Sequence, residues 1–228
     1  MKYEKVIKGR FISRPNRFIA QVEIAGREET VHVKNTGRCR ELLVPGAIVY
    51  LSVASNPERK TKYDLIAVEK ERQKGAPLLV NMDSQVVNDV AFEYLRKKMP
   101  NAYIRREATY KSSRFDFYFE DGDRRGYCEA KGVTLENEGV LSFPDAPTER
   151  GVKHLGELVE AKNEGYDAFV LFIIQMGEAL YFTPNDKTHR AFGDALRNAN
   201  GAGVGVIAVD CLVKPDEITA KNTVEVRL

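Results

Sequence analysis

Of the 228 residues none is tryptophan, three are cysteine and three are histidine. The missing tryptophan excludes little. The cysteines say more: Cys39, Cys128 and Cys211 are odd in number and widely spaced, which predicts neither a disulfide framework nor a zinc site and points to a reducing compartment. No apolar run approaches the ~20 residues that a membrane helix needs. No apolar stretch follows the opening Met1-Lys2-Tyr3-Glu4-Lys5-Val6, so no signal peptide is expected. The expectation is a cytoplasmic protein with no membrane partner. A hydrophobic content of 43% and a charged content of 30% fit a globular chain of one large domain or two small ones.

Excess charge is nearly absent overall, at +2, but it is unevenly placed. Residues 1–75 carry 16 Lys and Arg against 9 Asp and Glu, a net of +7, and residues 76–228 carry 19 against 24, a net of −5. A basic front and an acidic back fit a nucleic-acid-binding module joined to a metal-binding one.

The first 75 residues read as short strands at 6–13, 17–24, 30–34, 47–54 and 63–69. The turn signals Arg14-Pro15-Asn16, Ala25-Gly26, Pro45-Gly46 and Asn56-Pro57 separate them. Residues 38–43 could form a single helical turn. Five short strands with a helix after the third is the plan of an OB-fold barrel. Gly75-Ala76-Pro77 marks a hinge into a second domain. From Ser84 the period changes to helical, with Val86, Val87, Val90, Ala91, Tyr94 and Leu95 on one face and Met99-Pro100 at the end. Strands are predicted at about 102–110, 113–120 and 125–133. A helix capped by Thr148 runs to about Asn163, with Val152, Leu155, Leu158 and Val159 on its apolar side and Gly165 as its stop. Apolar strands follow at 168–175 and 204–213, with 180–183 as an addition to the sheet and a helix at 189–198 between them. The fold class is therefore α/β, of α+β type, in two domains at 1–75 and 76–228.

The most informative segment is a hairpin. Phe115, Phe117 and Phe119 share one face of the first strand, leaving Asp116 on the other; Tyr127, Glu129 and Lys131 share a face of the second. A turn centred between Gly122 and Asp123 puts Asp116 directly opposite Glu129. Facing residues have Cβ atoms about 5 Å apart. Two carboxylates at that spacing repel by roughly 3 kcal/mol at an effective dielectric of about 20. Such a cost calls for a cation, and Mg²⁺ binds through one or two carboxylates plus phosphate oxygens and water. Lys131 stands beside the pair.

Asp116 followed across a hairpin by Glu129-Ala130-Lys131 resembles the catalytic core of the PD-(D/E)xK nucleases, whose fold is restriction-endonuclease-like. Phe115 stands where the motif's name has Pro. The segment Phe143-Pro144-Asp145-Ala146-Pro147-Thr148-Glu149-Arg150-Gly151-Val152-Lys153-His154-Leu155, with Asn35-Thr36-Gly37-Arg38, is similar to the sugar fermentation stimulation protein A family over nearly the whole chain. That resemblance implies an OB-fold front domain and a restriction-endonuclease-like αβββαβ core with a mixed sheet. It also implies Mg²⁺ or Mn²⁺ held by Asp116, Glu129 and the Ala130 carbonyl, and DNA as partner.

The expected function is DNA binding with metal-dependent phosphodiester hydrolysis; the rival is a non-cleaving DNA-binding regulator of sugar catabolism. Asp116, Glu129 and Lys131 are the candidate catalytic residues. Lys131 either orients a water or simply pairs with a carboxylate. Arg150 or Lys153, at a helix start, would bind the scissile phosphate, and Glu149 with Lys153 could equally be a surface pair. His154 is either a general acid or base or a structural histidine. Asp145, Asp89 or Glu93 could add a further carboxylate. In the front domain Arg10, Arg14, Arg17, Lys34, Arg38 and Arg40 cluster, with Arg38 and Arg40 the candidate phosphate contacts. Phe11, Phe18 and Tyr50 offer stacking faces unless they fill the barrel, which is the expectation for Phe11 and Phe18. His32 and His189 show no partner pattern.

Overall fold

Six strands form the amino-terminal sheet: β1 (Val6–Ser13), β2 (Ile19–Ile24), β3 (Arg27–Val33), β4 (Ile48–Val53), β5 (Tyr63–Lys70) and β6 (Leu78–Asn81). The computed structural model describes every residue except Thr36, Pro57 and Lys74. Thr36 of the Asn35–Arg38 turn and Pro57 of the Asn56-Pro57 turn therefore lie outside the described residues. The strand order is β3-β2-β1-β4-β5-β6, and a parallel pairing of β3 with β5 closes strands β1 to β5 into a barrel. Inward positions follow the period-two pattern: Ala20, Val22, Val31, Val49, Leu51 and Leu65 are fully buried. Ala25 and Gly26 both have positive φ, 51° and 78°, so the β2–β3 hairpin turns in two residues and pairing begins at Arg27, earlier than expected. β2 starts late, at Ile19, because Asn16 Oδ1 accepts the amides of Phe18 and Ile19. The helical turn expected at 38–43 is only a turn, in which the amides of Leu42 and Leu43 both reach the Cys39 carbonyl.

The chain divides into two compact units. One comprises Met1–Val86, Gln175–Gly177 and Cys211–Thr219; the other comprises Val87–Ile174, Glu178–Asp210 and Ala220–Leu228. The first unit extends past the hinge expected at residue 75, because β6 pairs antiparallel with β5. It also draws in two later segments through hydrogen bonds such as Gln175 Nε2 to Asn81 Oδ1 at 2.9 Å.

The second unit runs α1 (Val87–Lys98), β7 (Tyr103–Tyr110), β8 (Ser113–Asp121), β9 (Arg124–Val133), β10 (Leu135–Asn137), β11 (Val140–Phe143), α2 (Glu149–Asn163), β12 (Asp167–Ile174), β13 (Tyr181–Pro184) and α3 (Asp186–Gly201), followed by β14 (Gly205–Lys214) and β15 (Glu217–Val226), which pass into the first unit between residues 211 and 219. The sheet order is β10-β11-β13-β15-β14-β12-β9-β8-β7. It is mixed: β7, β8 and β9 are antiparallel, whereas β12 pairs parallel with both β9 and β14. The order α1-β7-β8-β9-α2-β12 is the αβββαβ core expected from sequence. β6, the β10–β11 hairpin and β15 were not foreseen. Thr148 caps α2, its hydroxyl accepting the Gly151 amide at 3.1 Å.

Candidate functional site

The β8–β9 register is Phe117 opposite Cys128, Tyr118 opposite Tyr127 and Phe119 opposite Gly126. It folds about the midpoint between Gly122 and Asp123, and the regular pairing ends at Phe117 and Cys128, just short of Asp116 and Glu129. Phe115, Phe117 and Phe119 are all fully buried, but they do not share one face as expected: Phe117 stacks with Phe92 of α1, whereas Phe115 packs against Tyr110, Tyr127 and His154 of α2. The break in pairing at Asp116 goes with this change of side: Phe115 turns to α2, while Asp116 bonds the Ala130 amide and Asn88 of α1.

Asp116 Oδ2 accepts the Ala130 amide at 2.8 Å, and its Oδ1 accepts Asn88 Nδ2 of α1, also at 2.8 Å. Burial, and then the charge of Glu129, push the Asp116 carboxyl above its ordinary value against the pull of those two donors and of Lys131. Glu129 is only 4% exposed. Burial, the largest influence, would raise its carboxyl too. The hydrogen bond from His154 and the charge of Lys131 outweigh burial and hold Glu129 below its usual range. Two neighbouring acids whose environments push them in opposite directions are a signature of acid–base or metal chemistry. Next to them, burial drives the Cys128 thiol far up, which leaves it inert.

Lys131 Nζ and His154 Nδ1 both bond Glu129 Oε1, the latter at 2.5 Å. Glu129 Oε2 is buried and has no hydrogen-bond partner among the described residues. Oxygen-rich donors with one buried oxygen unpartnered suit a hard divalent ion. Among the described residues no trio of His, Cys, Asp or Glu is arranged to hold a metal, so an ion here would rely on Asp116, Glu129, main chain and water. At Ala130 the group seen at the site is the amide, bonded to Asp116.

The other candidates sort clearly. Arg150 Nε donates to His154 Nε2 at 3.3 Å, which puts Arg150 within the same cluster. Lys153 instead faces Glu157 Oε1 at 3.6 Å, and Glu157 is itself buried, with Oε2 unpartnered among the described residues. Glu149 pairs with His189 Nε2 at 3.2 Å, not with Lys153. His189 Nδ1 accepts the Thr148 amide, so this histidine has a partner set after all, at the start of α2. Asp145 lies in the bend before α2. Asp89 is not at the site: it pairs with Arg106 at 2.6 Å. Glu93 is exposed and shares the outer stripe of α1 with Asp89 and Arg96.

Sequence reasoning missed Asn88. Helical spacing could have found it, because residues 88, 91 and 95 lie on one stripe and Ala91 and Leu95 are buried. It also misplaced the inner face of α2, which buries His154, Glu157 and Ala161 beside Leu155 and Leu158, while Val152 and Val159 are only half-buried.

The barrel carries a separate feature. A cleft of about 380 Å³ is lined by Arg14, Asn16, Arg17, Gly37, Arg38, Arg40 and Leu43. Arg14 is spent on structure, donating to the carbonyls of Arg17, Asn35, Gly37 and Arg38. Arg10 bonds the Gly46 carbonyl, and Lys34 pairs with Asp83 at 3.3 Å. The exposed Arg17, Arg38 and Arg40 guanidinium groups have no partner among the described residues. Phe11 is buried as expected, but Phe18 is 55% exposed, because the Asn16 turn holds it outside the barrel. Tyr50 donates to Glu69 at 2.6 Å; burial first and that acid second push its hydroxyl to about 12. His32 pairs with Asp64 at 2.9 Å.

Two family models match the chain: one described as the sugar fermentation stimulation protein RE domain, over residues 85–217, and the SfsA N-terminal OB domain, over residues 12–77. A sugar fermentation stimulation protein homolog of Desulfitobacterium hafniense (strain Y51) is 57% identical over 230 residues, with 100% of this chain and 99% of that relative covered. This chain belongs to the sugar fermentation stimulation protein family. A homolog from Clostridium beijerinckii is 54% identical over 231 residues, with 100% of both chains covered. Among solved structures, the family member SfsA of Pyrococcus furiosus, described as a complex with Ca²⁺, superposes with a TM-score of 0.86 at 27% identity over 100% of this chain and 98% of that one.

Proposed function

We propose that this family member binds DNA and hydrolyses its phosphodiester bonds with a divalent ion, Mg²⁺ or Mn²⁺. One observation carries the reading: Asp116, bonded to the Ala130 amide, lies close enough to Glu129 to feel its charge, and the buried Glu129 Oε2 has no partner among the described residues. The Ca²⁺ in the Pyrococcus furiosus relative supports a hard cation.

Asp116 and Glu129 hold the ion, with the main chain at Ala130 beside them. A bound divalent ion polarises a phosphoryl oxygen and lowers the pKa of its water. Asn88 and the Ala130 amide fix the Asp116 carboxylate through their two hydrogen bonds. Lys131 orients the attacking water and offsets negative charge as the phosphorus is attacked. Arg150 is better placed than Lys153 to meet the scissile phosphate: its Nε bonds the cluster through His154, and its Nη groups remain as donors. In the barrel, Arg17, Arg38 and Arg40 meet backbone phosphates, and Phe18 offers a ring on which an unpaired base can stack.

The non-cleaving regulator draws on a different observation. Lys131 already pairs with Glu129, so the site can balance part of its charge without a metal. Incubating the purified protein with supercoiled, linear and single-stranded DNA, in Mg²⁺, Mn²⁺ or EDTA, separates the two. Metal-dependent cleavage that disappears in Asp116→Asn while DNA binding persists is the expected result. Binding without cleavage of any form would favour the regulator, and absence of both would remove DNA from the account.

A further inference from the structure

We propose that His154 and Arg150 are positioning residues that lock the Glu129 carboxylate, so that one oxygen is committed to the protein and the other is left for the cation. The proposal rests on the metal site described above.

The residues form a chain from the surface inward. Arg150 is exposed at the start of α2; His154, one turn later on the same helix, is 4% exposed; Glu129 lies beneath it on β9, also 4% exposed. A guanidinium is a donor only. Arg150 Nε bonds His154 Nε2, so that nitrogen must accept. The ring hydrogen therefore sits on Nδ1, which donates to Glu129 Oε1 at 2.5 Å. Phe115 meets the imidazole nearly edge-on, with ring centroids 6.0 Å apart at 79°, and limits its tilt. Lys131 Nζ donates to the same Oε1.

Two donors on one carboxylate oxygen fix the side chain's torsions and take up that oxygen's lone pairs. Oε2 keeps its own lone pairs, buried and without a partner among the described residues. A stability argument alone gives no reason to place both donors on one oxygen and none on the other. A cation-binding argument does: the ligand is ordered before the ion arrives, so less freedom is lost on binding. The arrangement also sets denticity. With Oε1 committed, Glu129 offers a single oxygen, which fits the octahedral shell of Mg²⁺ or Mn²⁺ better than the larger shell of Ca²⁺, where carboxylates are often bidentate. Groups that orient a metal ligand in this way change metal affinity by about 10–100-fold when removed.

The test is calorimetric titration of the full chain with Mn²⁺ and with Ca²⁺, with no nucleic acid present, after the metal-free melting temperature of each variant has been measured. His154→Leu removes the donor. His154→Asn restores one, because the Asn Nδ2 sits close to where the imidazole Nδ1 was. The expected result is a Mn²⁺ affinity about 10–100-fold weaker in His154→Leu, a smaller loss for Ca²⁺, and recovery of most of the Mn²⁺ affinity in His154→Asn. If His154→Leu does not fold, the exposed Arg150→Met carries the test, and a several-fold loss of Mn²⁺ affinity is expected. Wild-type affinities and an unchanged Mn²⁺/Ca²⁺ ratio in the folded variants would overturn the positioning role while leaving the metal site standing. A wild-type protein that binds neither ion would overturn both.

Discussion

At the scale of single residues, the two acids of the hairpin oppose stability and function. Asp116 is held in a place that disfavours its charge, first through burial and then through Glu129. A group whose charged form is disfavoured in the fold weakens the protein wherever that form predominates. Asp116→Asn is therefore expected to stabilise the metal-free protein at neutral pH. The amide can still accept from Ala130, and Asn88 can flip to accept from the new NH₂. A gain of about 1 kcal/mol would raise the melting temperature by ~2–4 °C for a chain of this size, and the same substitution should abolish any further rise on adding Mn²⁺. Calorimetric melts with and without Mn²⁺ check both; a metal-free variant that melts lower than wild type would show that the carboxylate is not under strain.

Asp64, in the barrel, has the opposite sign. Burial would raise its carboxyl, but Arg59 bonds both oxygens, at 2.7 and 2.9 Å, and His32 adds a third contact, so the group lies below its ordinary value. A carboxyl lowered in the folded state contributes stability above the unfolded-state value of about 3.9 and loses it as pH falls through the folded-state value. Urea unfolding from pH 7 down to pH 2 should show a loss of stability below about pH 4 that is shallower in Asp64→Asn. An identical acid slope in the variant would mean that other carboxylates carry the effect.

At the scale of elements, β9 is the keystone of the site, since it pairs antiparallel with β8 and parallel with β12. The close fit is visible at Gly126, where an added Cβ would lie 2.2 Å from the Asp167 carbonyl oxygen and 2.6 Å from Phe119 Cζ. The first neighbour is backbone and cannot swing aside. Gly126→Ala is expected to cost about 1–3 kcal/mol or more, the usual range for overpacking, and to disturb the hairpin that brings Asp116 near Glu129. Chemical denaturation measures the first effect and loss of divalent-ion binding the second. A fully stable Gly126→Ala variant would mean that β12 yields more easily than its parallel pairing suggests.

Much of this layer was legible in the chain. β1, the β8–β9 hairpin and the capped α2 follow from strict alternation, an Asp-Gly turn and a Thr cap, all of them local signals. β15 was not legible because Lys221, Asn222 and Thr223 interrupt its alternation and are all exposed; Ile218 and Val224 are its buried residues. β6 and the β10–β11 hairpin are three or four residues long, too short to show a period. In the site, the closeness of Asp116, Glu129 and Lys131 could be read from sequence because they lie on the two strands of one hairpin; the turn of Phe115 away from Phe117 could not, since strict alternation does not show a break in pairing. The contact between His154 and Glu129 could not, since it joins residues 25 apart through the packing of α2 on the sheet.

At the scale of the whole molecule, the charge asymmetry assigns different work to the two ends of the chain: +7 over residues 1–75 and −5 over the rest. The barrel spends part of its positive charge internally, on Arg14, Arg59 and Lys34. What remains for a polyanion includes Arg17, Arg38 and Arg40 around the 380 Å³ cleft. Neutralising phosphates releases condensed counterions, so log K falls with log salt by about 0.7 per contact for a single strand and about 0.9 for a duplex. The double variant Arg38→Ala, Arg40→Ala is expected to weaken binding to all sequences alike and to flatten that slope by roughly one to two units. Lys131→Ala should leave the slope nearly unchanged, because Lys131 serves one phosphate at the chemical step. The measurement needs the full chain: β6 and residues 175–177 and 211–219 belong to the same compact unit as the barrel, so a fragment ending at residue 75 would lack part of its own support. Fluorescence anisotropy with a labelled oligonucleotide in EDTA, from low to moderate salt, reads the slope without cleavage. An unaltered slope in the double variant, with a flattened one in Lys131→Ala, would move the binding surface from the barrel to the second unit.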